Sequence, residues 1–73
     1  MFIKYKNINN DSNVNCYEIG QTYIDVVFCG TNKVYRYSYN KAGVQHVENM
    51  KLLAEKGDGL NSYINKFCKY LYD

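Results

Sequence analysis

The alternation of apolar and polar positions is clearest between residues 33 and 39, where the sequence is Lys-Val-Tyr-Arg-Tyr-Ser-Tyr. In an extended chain Tyr35, Tyr37 and Tyr39 fall on one side, while Arg36 falls on the other. Period-two alternation of β-branched and aromatic residues is typical of a β-strand. The pattern therefore predicts a strand with one tyrosine-rich face.

A more apolar segment, residues 22–28, precedes this strand and predicts its neighbour. Ile24, Val26 and Phe28 share one face of it, which we expect to be the core face. Gly30 and the polar residues after it favour a tight turn, so the two strands should pair antiparallel.

Two further segments extend the sheet towards the N-terminus. Residues 14–19 predict a strand with Val14 and Cys16 on one face. Residues 2–8 alternate loosely and predict a short edge strand, because their lysines discourage unwanted pairing. Asparagines then dominate up to residue 15 and favour turns, so we expect a linker there.

From residue 40 the apolar spacing becomes helical. A first helix should begin after an N-cap at Asn40, with Ser38 as the alternative, and should end at Gly57. A second helix should follow Asp58. Its apolar stripe predicts one buried side and comprises Leu60, Tyr63, Ile64, Phe67 and Leu71.

This order of elements predicts an α+β fold: a three- or four-stranded antiparallel β-meander followed by a helical hairpin packed on one face. Residues 1–11 are expected to be an N-terminal strand and Asn-rich linker, and residues 12–73 the α+β domain. The pattern leaves open which sheet face the helices cover. The predicted core comprises Ile24, Val26, Phe28, Val47, Met50, Leu53, Leu60, Ile64, Phe67 and Leu71.

Composition narrows the class of protein. The chain has 73 residues, which suits one domain, and a net charge of +2, well short of a duplex-DNA binder. Its 3 cysteines are widely spaced, so we expect reduced, mostly buried thiols rather than a disulfide framework. No signal peptide or membrane-spanning stretch is evident, which predicts a cytoplasmic location.

Short motifs at the joints between these elements resemble the KTSC family. Residues 34–37 match the central Tyr-x-Tyr motif of that family. Residues 24–30 match the apolar strand that precedes this motif in the family. The C-terminal motif of the family consists of a glycine, then a large apolar residue followed by asparagine, and then a further apolar residue. The residues in those places are Gly57, Leu60, Asn61 and Ile64, while Tyr70 is similar to the closing tyrosine and residues 12–14 to the usual start.

The resemblance covers residues 12–70 and implies a small α+β fold that binds RNA. KTSC domains occur alone in bacteria and phages, or at the end of some lysyl-tRNA synthetases. This chain departs from the family in having no proline before the first helix. It also has Ser62 where a basic residue is frequent, which removes one charge from an anion site at Asn61.

Tyrosines beside cations are the sharpest candidates for ligand binding, because exposed aromatic rings stack on bases and cations meet phosphates. Alternatively, the tyrosine face is the floor beneath the helices, and Arg36 on the open face becomes the better candidate. Asn61 could serve an anion site or simply tie a helix start. The candidate ligand-binding residues are Tyr35, Arg36, Tyr37, Tyr39, Asn61, Lys66 and Lys69.

Catalytic patterns are missing from the sequence. His46 is the single histidine, and nothing in the pattern places a thiol and an orienting acid beside it. Carboxylates are scattered, without metal-ligand or paired-acid spacing. We therefore expect no enzyme activity, no metal and no cofactor.

The predicted function is a small non-catalytic domain that binds single-stranded RNA or a nucleotide. The alternative is a phage-type small inhibitor of a host defence system, which acts by protein–protein contact or by sequestering a signalling nucleotide. In the second case a homo-oligomer or a protein partner is expected.

Overall fold

A sheet followed by two helices makes up the chain in this computed structural model, which describes residues 1–8, 10 and 12–73. Residues 9 and 11 of the predicted linker lie outside the described part. The strands β1 to β4 form an antiparallel meander in chain order, so the predicted α+β fold is confirmed, with four strands. The elements are β1 (Ile3–Lys4), β2 (Val14–Ile19), β3 (Tyr23–Phe28), β4 (Val34–Ser38), α1 (Val44–Lys56), α2 (Leu60–Tyr63) and a π-helical continuation of α2 (Ile64–Cys68).

The helices cover the tyrosine face of the sheet. Ile24 on β3 lies opposite Tyr37 on β4, and Val26 lies opposite Tyr35. Ile24, Val26 and Tyr37 are at most 1% exposed and belong to the same buried cluster as Met50 of α1. The tyrosine strand is therefore the floor under the helices, and the residues that alternate with it face the other side.

A β-bulge interrupts β2 between Val14 and Cys16. Val14 lies opposite Phe28, and the register then shifts so that Cys16 lies opposite Val27. Val14 joins the core, whereas Cys16 shares the side of Val27, on the other sheet face. The prediction that Val14 and Cys16 share a face is wrong, because the extra residue of a bulge reverses the alternation.

The N-terminal segment, which the sequence set apart as a strand and linker, contributes to the same core. Tyr5 is buried, and its backbone N–H donates to the carbonyl of Asn15 at 3.0 Å. Its hydroxyl accepts the Leu60 N–H at 3.3 Å. The Ile8 N–H donates to the Gly57 carbonyl at 3.0 Å, so the segment connects β2 to the junction between the helices.

Helix α1 begins later than predicted and ends where predicted. The Ala42 N–H donates to the Ser38 carbonyl at 2.8 Å, which makes a separate turn, and Gly43 then adopts φ 96°. This conformation is not helical, so Val44 is the first helical residue and the Asn40 N-cap prediction is wrong. At the other end Gly57 adopts φ 80° and donates to the Leu53 carbonyl at 3.0 Å, an αL C-cap as expected.

The buried side of the second helical segment differs from the predicted stripe. Leu60, Ile64 and Cys68 are at most 2% exposed, while Phe67 is 51% exposed, so its placement in the core is wrong. Hydrogen bonds from i to i+5 widen the turn of a π-helix, so that residues four apart stay on one side. The π-helical continuation thus turns Cys68 inward in place of Phe67, and Leu71 is only partly buried against the core.

Two of the three thiols are also more accessible than expected. Only Cys68 is buried; Cys16 is half-buried and Cys29 is exposed, and all three are free thiols. Burial raises the pKa of the Cys68 thiol, which disfavours its reactive thiolate form. In the described part of the chain, neither helix has the length and apolar character needed to cross a bilayer.

Candidate functional site

An aromatic cleft of about 390 Å³ opens between the tyrosine face of the sheet and the C-terminal part of the chain. Its volume lies within the range usual for small-molecule sites. Side chains from β3, β4, the second helical segment and the residues after it converge there. The described lining residues are Asn13, Phe28, Tyr35, Tyr37, Asn61, Ile64, Asn65, Lys69, Tyr70 and Tyr72.

The rings that line this aromatic cleft hold one another in place. Tyr35 meets Tyr72 edge to face, with ring centroids 4.9 Å apart, and meets Phe28 at 5.6 Å. Tyr37 and Tyr72 are also nearly perpendicular, at 6.4 Å. Edge-to-face packing of this kind is favourable, so the wall is formed before any ligand binds.

The C-terminal residues reach the cleft because they are hydrogen-bonded to β4. The Asp73 N–H donates to the Arg36 carbonyl at 2.7 Å. The Ser38 hydroxyl donates to the Asp73 carboxylate, also at 2.7 Å. These bonds lay the chain end beside β4 and bring the ring of Tyr72 against Tyr35.

Three asparagines and one lysine supply the polar part of the lining. Within the described residues, no group is hydrogen-bonded to the side-chain amides of Asn13, Asn61 or Asn65. Lys69 is the one charged residue among the described lining residues, and its Nζ lies 5.7 Å from the ring centroid of Tyr70. The cleft thus combines aromatic surface, unused amides and a single positive charge.

Four of the seven residues predicted from the sequence meet in this cleft: Tyr35, Tyr37, Asn61 and Lys69. Asn61 lies at the start of α2, where its amide makes no bond that ties the helix within the described residues. The two tyrosines differ in burial. Tyr37 is almost fully buried under the helices, while half-buried Tyr35 stays at the wall of the cleft.

Arg36 lies on the opposite face of the sheet and is already paired. Its guanidinium donates two hydrogen bonds to the Asp25 carboxylate, at 2.8 and 2.9 Å. It also lies over the ring of Tyr23, 3.9 Å from the centroid. The hydrogen bonds to Asp25 raise the pKa of Arg36. Arg36 therefore lies outside the lining of the cleft, on the open face, which is where the sequence placed it for the case in which the tyrosines form the floor beneath the helices.

Tyr39 and Lys66 also lie outside the lining of the cleft. The Tyr39 hydroxyl donates to Glu48 at 2.5 Å, and this bond raises the pKa of Tyr39 and lowers that of Glu48. Lys66 lies 5.7 Å from the ring centroid of Phe67, on the exposed side of the π-helical continuation. Tyr39 thus serves to join β4 to α1, and Lys66 is a surface cation.

Sequence reasoning missed Asn13, Asn65 and Tyr72 as lining residues, and it named Tyr70 only for its similarity to the closing tyrosine of the KTSC family. One local signal was available: Tyr70 and Tyr72 are two apart near the chain end, as on one side of an extended segment. Asn13 and Asn65 gave no signal, because asparagine in a loop or on an exposed helix face is ordinary.

Burial sets the ionisation of Tyr37. Removal from water raises the pKa of its hydroxyl from 10.0 to about 12, with smaller contributions from Cys68, Tyr35 and Tyr72. The hydroxyl is therefore neutral at physiological pH. A neutral phenol can donate a hydrogen bond into the cleft, and it does not repel an anionic ligand.

This shift predicts a loss of stability in alkali. The folded state keeps the Tyr37 proton between pH 10 and about 12, where the unfolded state releases it. The stabilising contribution is therefore complete below pH 10 and lost as the pH rises through about 12. Urea unfolding on both sides of pH 10 should show a shallower alkaline decline for Tyr37→Phe than for the original chain. Equal declines would contradict this burial.

His46 belongs to a separate polar and aromatic cluster between the helices. Its Nδ1 lies 2.7 Å from the Tyr63 hydroxyl, which also accepts a hydrogen bond from the Asn49 amide at 3.1 Å. Its ring stacks on Phe67, with centroids 6.2 Å apart. Among the described residues these contacts include no thiol, and no three His, Cys, Asp or Glu side chains are grouped to hold a metal ion.

Comparison with known proteins finds no matching family model, curated protein or solved structure. The resemblance to the KTSC family therefore stays a prediction.

Proposed function

We propose that this chain is a non-catalytic binding domain that takes a nucleotide in the aromatic cleft, either free or as one unit of single-stranded RNA. The observation that carries the proposal is the composition of the cleft. Aromatic rings, unused amides and one lysine line a space of about 390 Å³. A nucleotide presents a flat base, a polar base edge and a phosphate, and each has a counterpart in this lining.

Stacking supplies the main attraction in this proposal. Bases stack on tyrosine rings with about 1–3 kcal/mol per base, largely independent of sequence. Tyr35 and Tyr72 are held edge to face, so little conformational entropy is lost when a base arrives. Tyr70 is 74% exposed at the cleft, and burying its ring against a base would add apolar contact.

The absence of a reactive group within the described lining supports binding rather than catalysis. The described residues around the cleft include neither a histidine nor a carboxylate that could transfer a proton. Cys68 is buried, with a raised thiol pKa, and His46 is engaged with Tyr63. We therefore propose that the ligand is held and released unchanged.

Substitution of Tyr70 tests the cleft directly. Tyr70→Ala should weaken binding of a nucleoside monophosphate mixture or a short single-stranded RNA by about 5- to 150-fold, because one stacking ring is lost. Phe67→Ala is the matched control: Phe67 is an exposed aromatic three residues away that does not line the cleft. Titration calorimetry would measure both. Binding that survives Tyr70→Ala but not Phe67→Ala would place the ligand elsewhere.

The lysines offer a second matched pair in the same experiment. Lys69→Gln should lower the affinity and reduce its dependence on salt, because Lys69 is the cation at the cleft. Lys66→Gln removes the same charge nearby, from a side chain that points to Phe67 instead. Equal effects of the two substitutions would indicate a general electrostatic attraction and no defined phosphate site.

A protein-binding surface is the second candidate, and it rests on a different observation. Phe67 and Tyr70 are 51% and 74% exposed, so the C-terminal segment presents two large aromatic side chains to solvent. Such a surface suits a small inhibitor that contacts a host protein or its own copies. Native mass spectrometry would show an assembly that Phe67→Ala disrupts. A monomer at all concentrations would rule out the oligomeric form of this candidate.

A further inference from the structure

We infer that the outer edge of β1 binds an extended segment of another protein in which apolar and acidic residues alternate. The segment adds to the sheet as a fifth strand. The inference goes beyond the proposed function, because this edge is separate from the described lining of the aromatic cleft. It rests on unpaired backbone groups, exposed apolar side chains and an uncompensated positive charge, which meet at the edge.

The backbone of β1 presents a donor and an acceptor to solvent. The Tyr5 N–H donates to the carbonyl of Asn15 on β2 at 3.0 Å. Hydrogen-bonding directions alternate along an antiparallel pair, so the N–H and the carbonyl of Lys4 point away from β2. No group among the described residues bonds to either of them. An outer strand with such groups accepts a further strand by main-chain pairing.

The opposite edge of the sheet and the far end of β1 are already covered. The Asp73 N–H donates to the carbonyl of Arg36 at 2.7 Å, so the chain end lies beside β4. At the far end of β1, Gly57 approaches Lys6 so closely that a Cβ on the glycine would lie 2.6 Å from the Lys6 Cβ. The accessible stretch is therefore residues 2–4, and side chains must add to the few main-chain bonds.

The two sides of this stretch differ in chemistry. Phe2 and Ile3 are 41% and 52% exposed, although both are large and apolar. Ile3 lies opposite Tyr17, on the face that the helices cover, whereas Lys4 lies opposite Cys16, on the open face. Successive residues of an added strand alternate in the same way. One of them therefore meets Ile3, and the next meets Lys4.

Charge favours an acid opposite Lys4. The side chain of Lys4 is exposed and forms no ion pair or hydrogen bond within the described residues. Residues 1–6 contain no acid, and the neighbouring Glu18 on β2 already pairs with the amino group of Met1. Opposite charges across paired strands attract, so an acidic residue at this position adds affinity and sets the register.

The helix-covered side favours an apolar residue instead. Burial and, to a smaller extent, the negative charge of Glu55 raise the pKa of Tyr17, which lies opposite Ile3. A second acid on this side would meet that negative charge, whereas an apolar side chain covers the exposed part of Ile3. Alternating apolar and acidic residues thus complement both sides of the edge.

The lysines also argue against a second copy of this chain as the occupant. A second β1 would bring its own Lys4 and Lys6 to the edge, and like charges across paired strands are destabilising. Lysine on an outer strand is a common protection against pairing with identical chains. The same charge that excludes a copy therefore selects an acidic partner.

A capped hexapeptide of alternating valine and glutamate is the probe, and the same peptide with lysine in place of glutamate is its control. Hydrogen exchange of the Lys4 amide, followed by NMR, reports docking, because this N–H is unpaired until a strand is added. At a concentration about ten times its dissociation constant, the acidic peptide should slow this exchange about tenfold. The lysine peptide should leave it unchanged.

Two matched pairs of variants separate charge from main-chain pairing. Lys4→Glu should weaken binding of the acidic peptide by about 2- to 30-fold, because an attractive pair becomes a repulsive one. Lys41→Glu makes the same charge change at an exposed turn residue and should not alter the preference. Lys4→Pro and Lys4→Gln both remove the charge, but only proline removes the outward N–H, which leaves the pairing with β2 intact. Lys4→Pro should bind about 2- to 13-fold more weakly than Lys4→Gln.

Several outcomes would overturn the inference. They are absence of binding by either peptide, equal binding of both, and an acidic preference that Lys4→Glu retains. Binding that leaves the Lys4 exchange unchanged would place the peptide elsewhere on the surface. Slow Lys4 exchange without peptide that increases with protein concentration would assign the edge to a second copy. The proposed function stands or falls separately, because Tyr70→Ala and Lys69→Gln test it at the cleft.

Discussion

Replacing Leu60 with alanine should lower the free energy of unfolding by about 2–5 kcal/mol, the usual cost of a Leu→Ala cavity in a core. Leu60 is fully buried where α2 begins, and its N–H donates to the hydroxyl of Tyr5. A chain of this size has few such residues, so the loss is a large share of its total stability. Urea or thermal unfolding would measure it.

Phe67→Ala is the informative comparison, with an expected cost of about 1 kcal/mol. About half of the Phe67 side chain is exposed, so less apolar surface is lost, and the rings that it contacts are those of His46 and Tyr63. A cost for Phe67→Ala equal to that for Leu60→Ala would mean that the second helical segment continues as a regular α-helix with Phe67 inside.

The difference between these two residues also shows where sequence reasoning stops. Both belong to the apolar stripe of the predicted helix, and that stripe correctly placed Leu60 and Ile64 in the core. The stripe assumes the regular α-helical period throughout. A π-helical turn breaks this period after Tyr63, and no residue type in the segment marks it in advance. Cys68 therefore takes the inner position expected for Phe67.

The sheet illustrates a second limit of sequence reasoning. Strict alternation predicted correctly that Tyr35 and Tyr37 share a face, and the same pattern in residues 22–28 correctly placed Ile24 and Val26 on the core face. Alternation is symmetric, however, and cannot say which face the helices cover. That choice depends on packing between distant elements, which local patterns do not contain.

The candidate site was predictable only in part for the same reason. Base-stacking chemistry pointed to Tyr35 and Tyr37, and those residues line the cleft. The pairing of Arg36 was not foreseen, because its carboxylate partner, Asp25, lies on the neighbouring strand, 11 residues away in the sequence. Tyr72 joins the site through the hydrogen bonds between the chain end and β4, a long-range contact that no local pattern signals.

The second large effect is expected for Arg36→Ala, which should lower the free energy of unfolding. Asp25 is only 4% exposed, and the two guanidinium bonds of Arg36 satisfy its carboxylate. Removing Arg36 leaves the buried Asp25 carboxylate without these two bonds, and the loss is moderated by solvent because the Arg36 side chain is 49% exposed. Denaturant unfolding would measure the loss.

A double variant distinguishes the loss of the whole Arg36–Asp25 ion pair from the effect of leaving Asp25 unpaired. Arg36→Ala combined with Asp25→Val removes both charges and fills the space between β3 and β4 with an apolar side chain. Such replacements are often neutral or stabilising, so the double variant should recover most of the stability lost by Arg36→Ala alone. If it is less stable than Arg36→Ala, Asp25 has a role in folding beyond its pairing with Arg36.

The same variant decides which face of the sheet binds the ligand. Arg36 points away from the aromatic cleft, so the folded double variant should bind a nucleotide or a short RNA with unchanged affinity. Tyr70→Ala should abolish most of that binding while leaving the unfolding transition in place, because Tyr70 is mostly exposed. The reverse result, binding lost with Arg36 and kept without Tyr70, would move the site to the face formed by Arg36 and Tyr23. The attraction would then come from a guanidinium stacked on a ring, and the cleft would be a packing feature of the chain end.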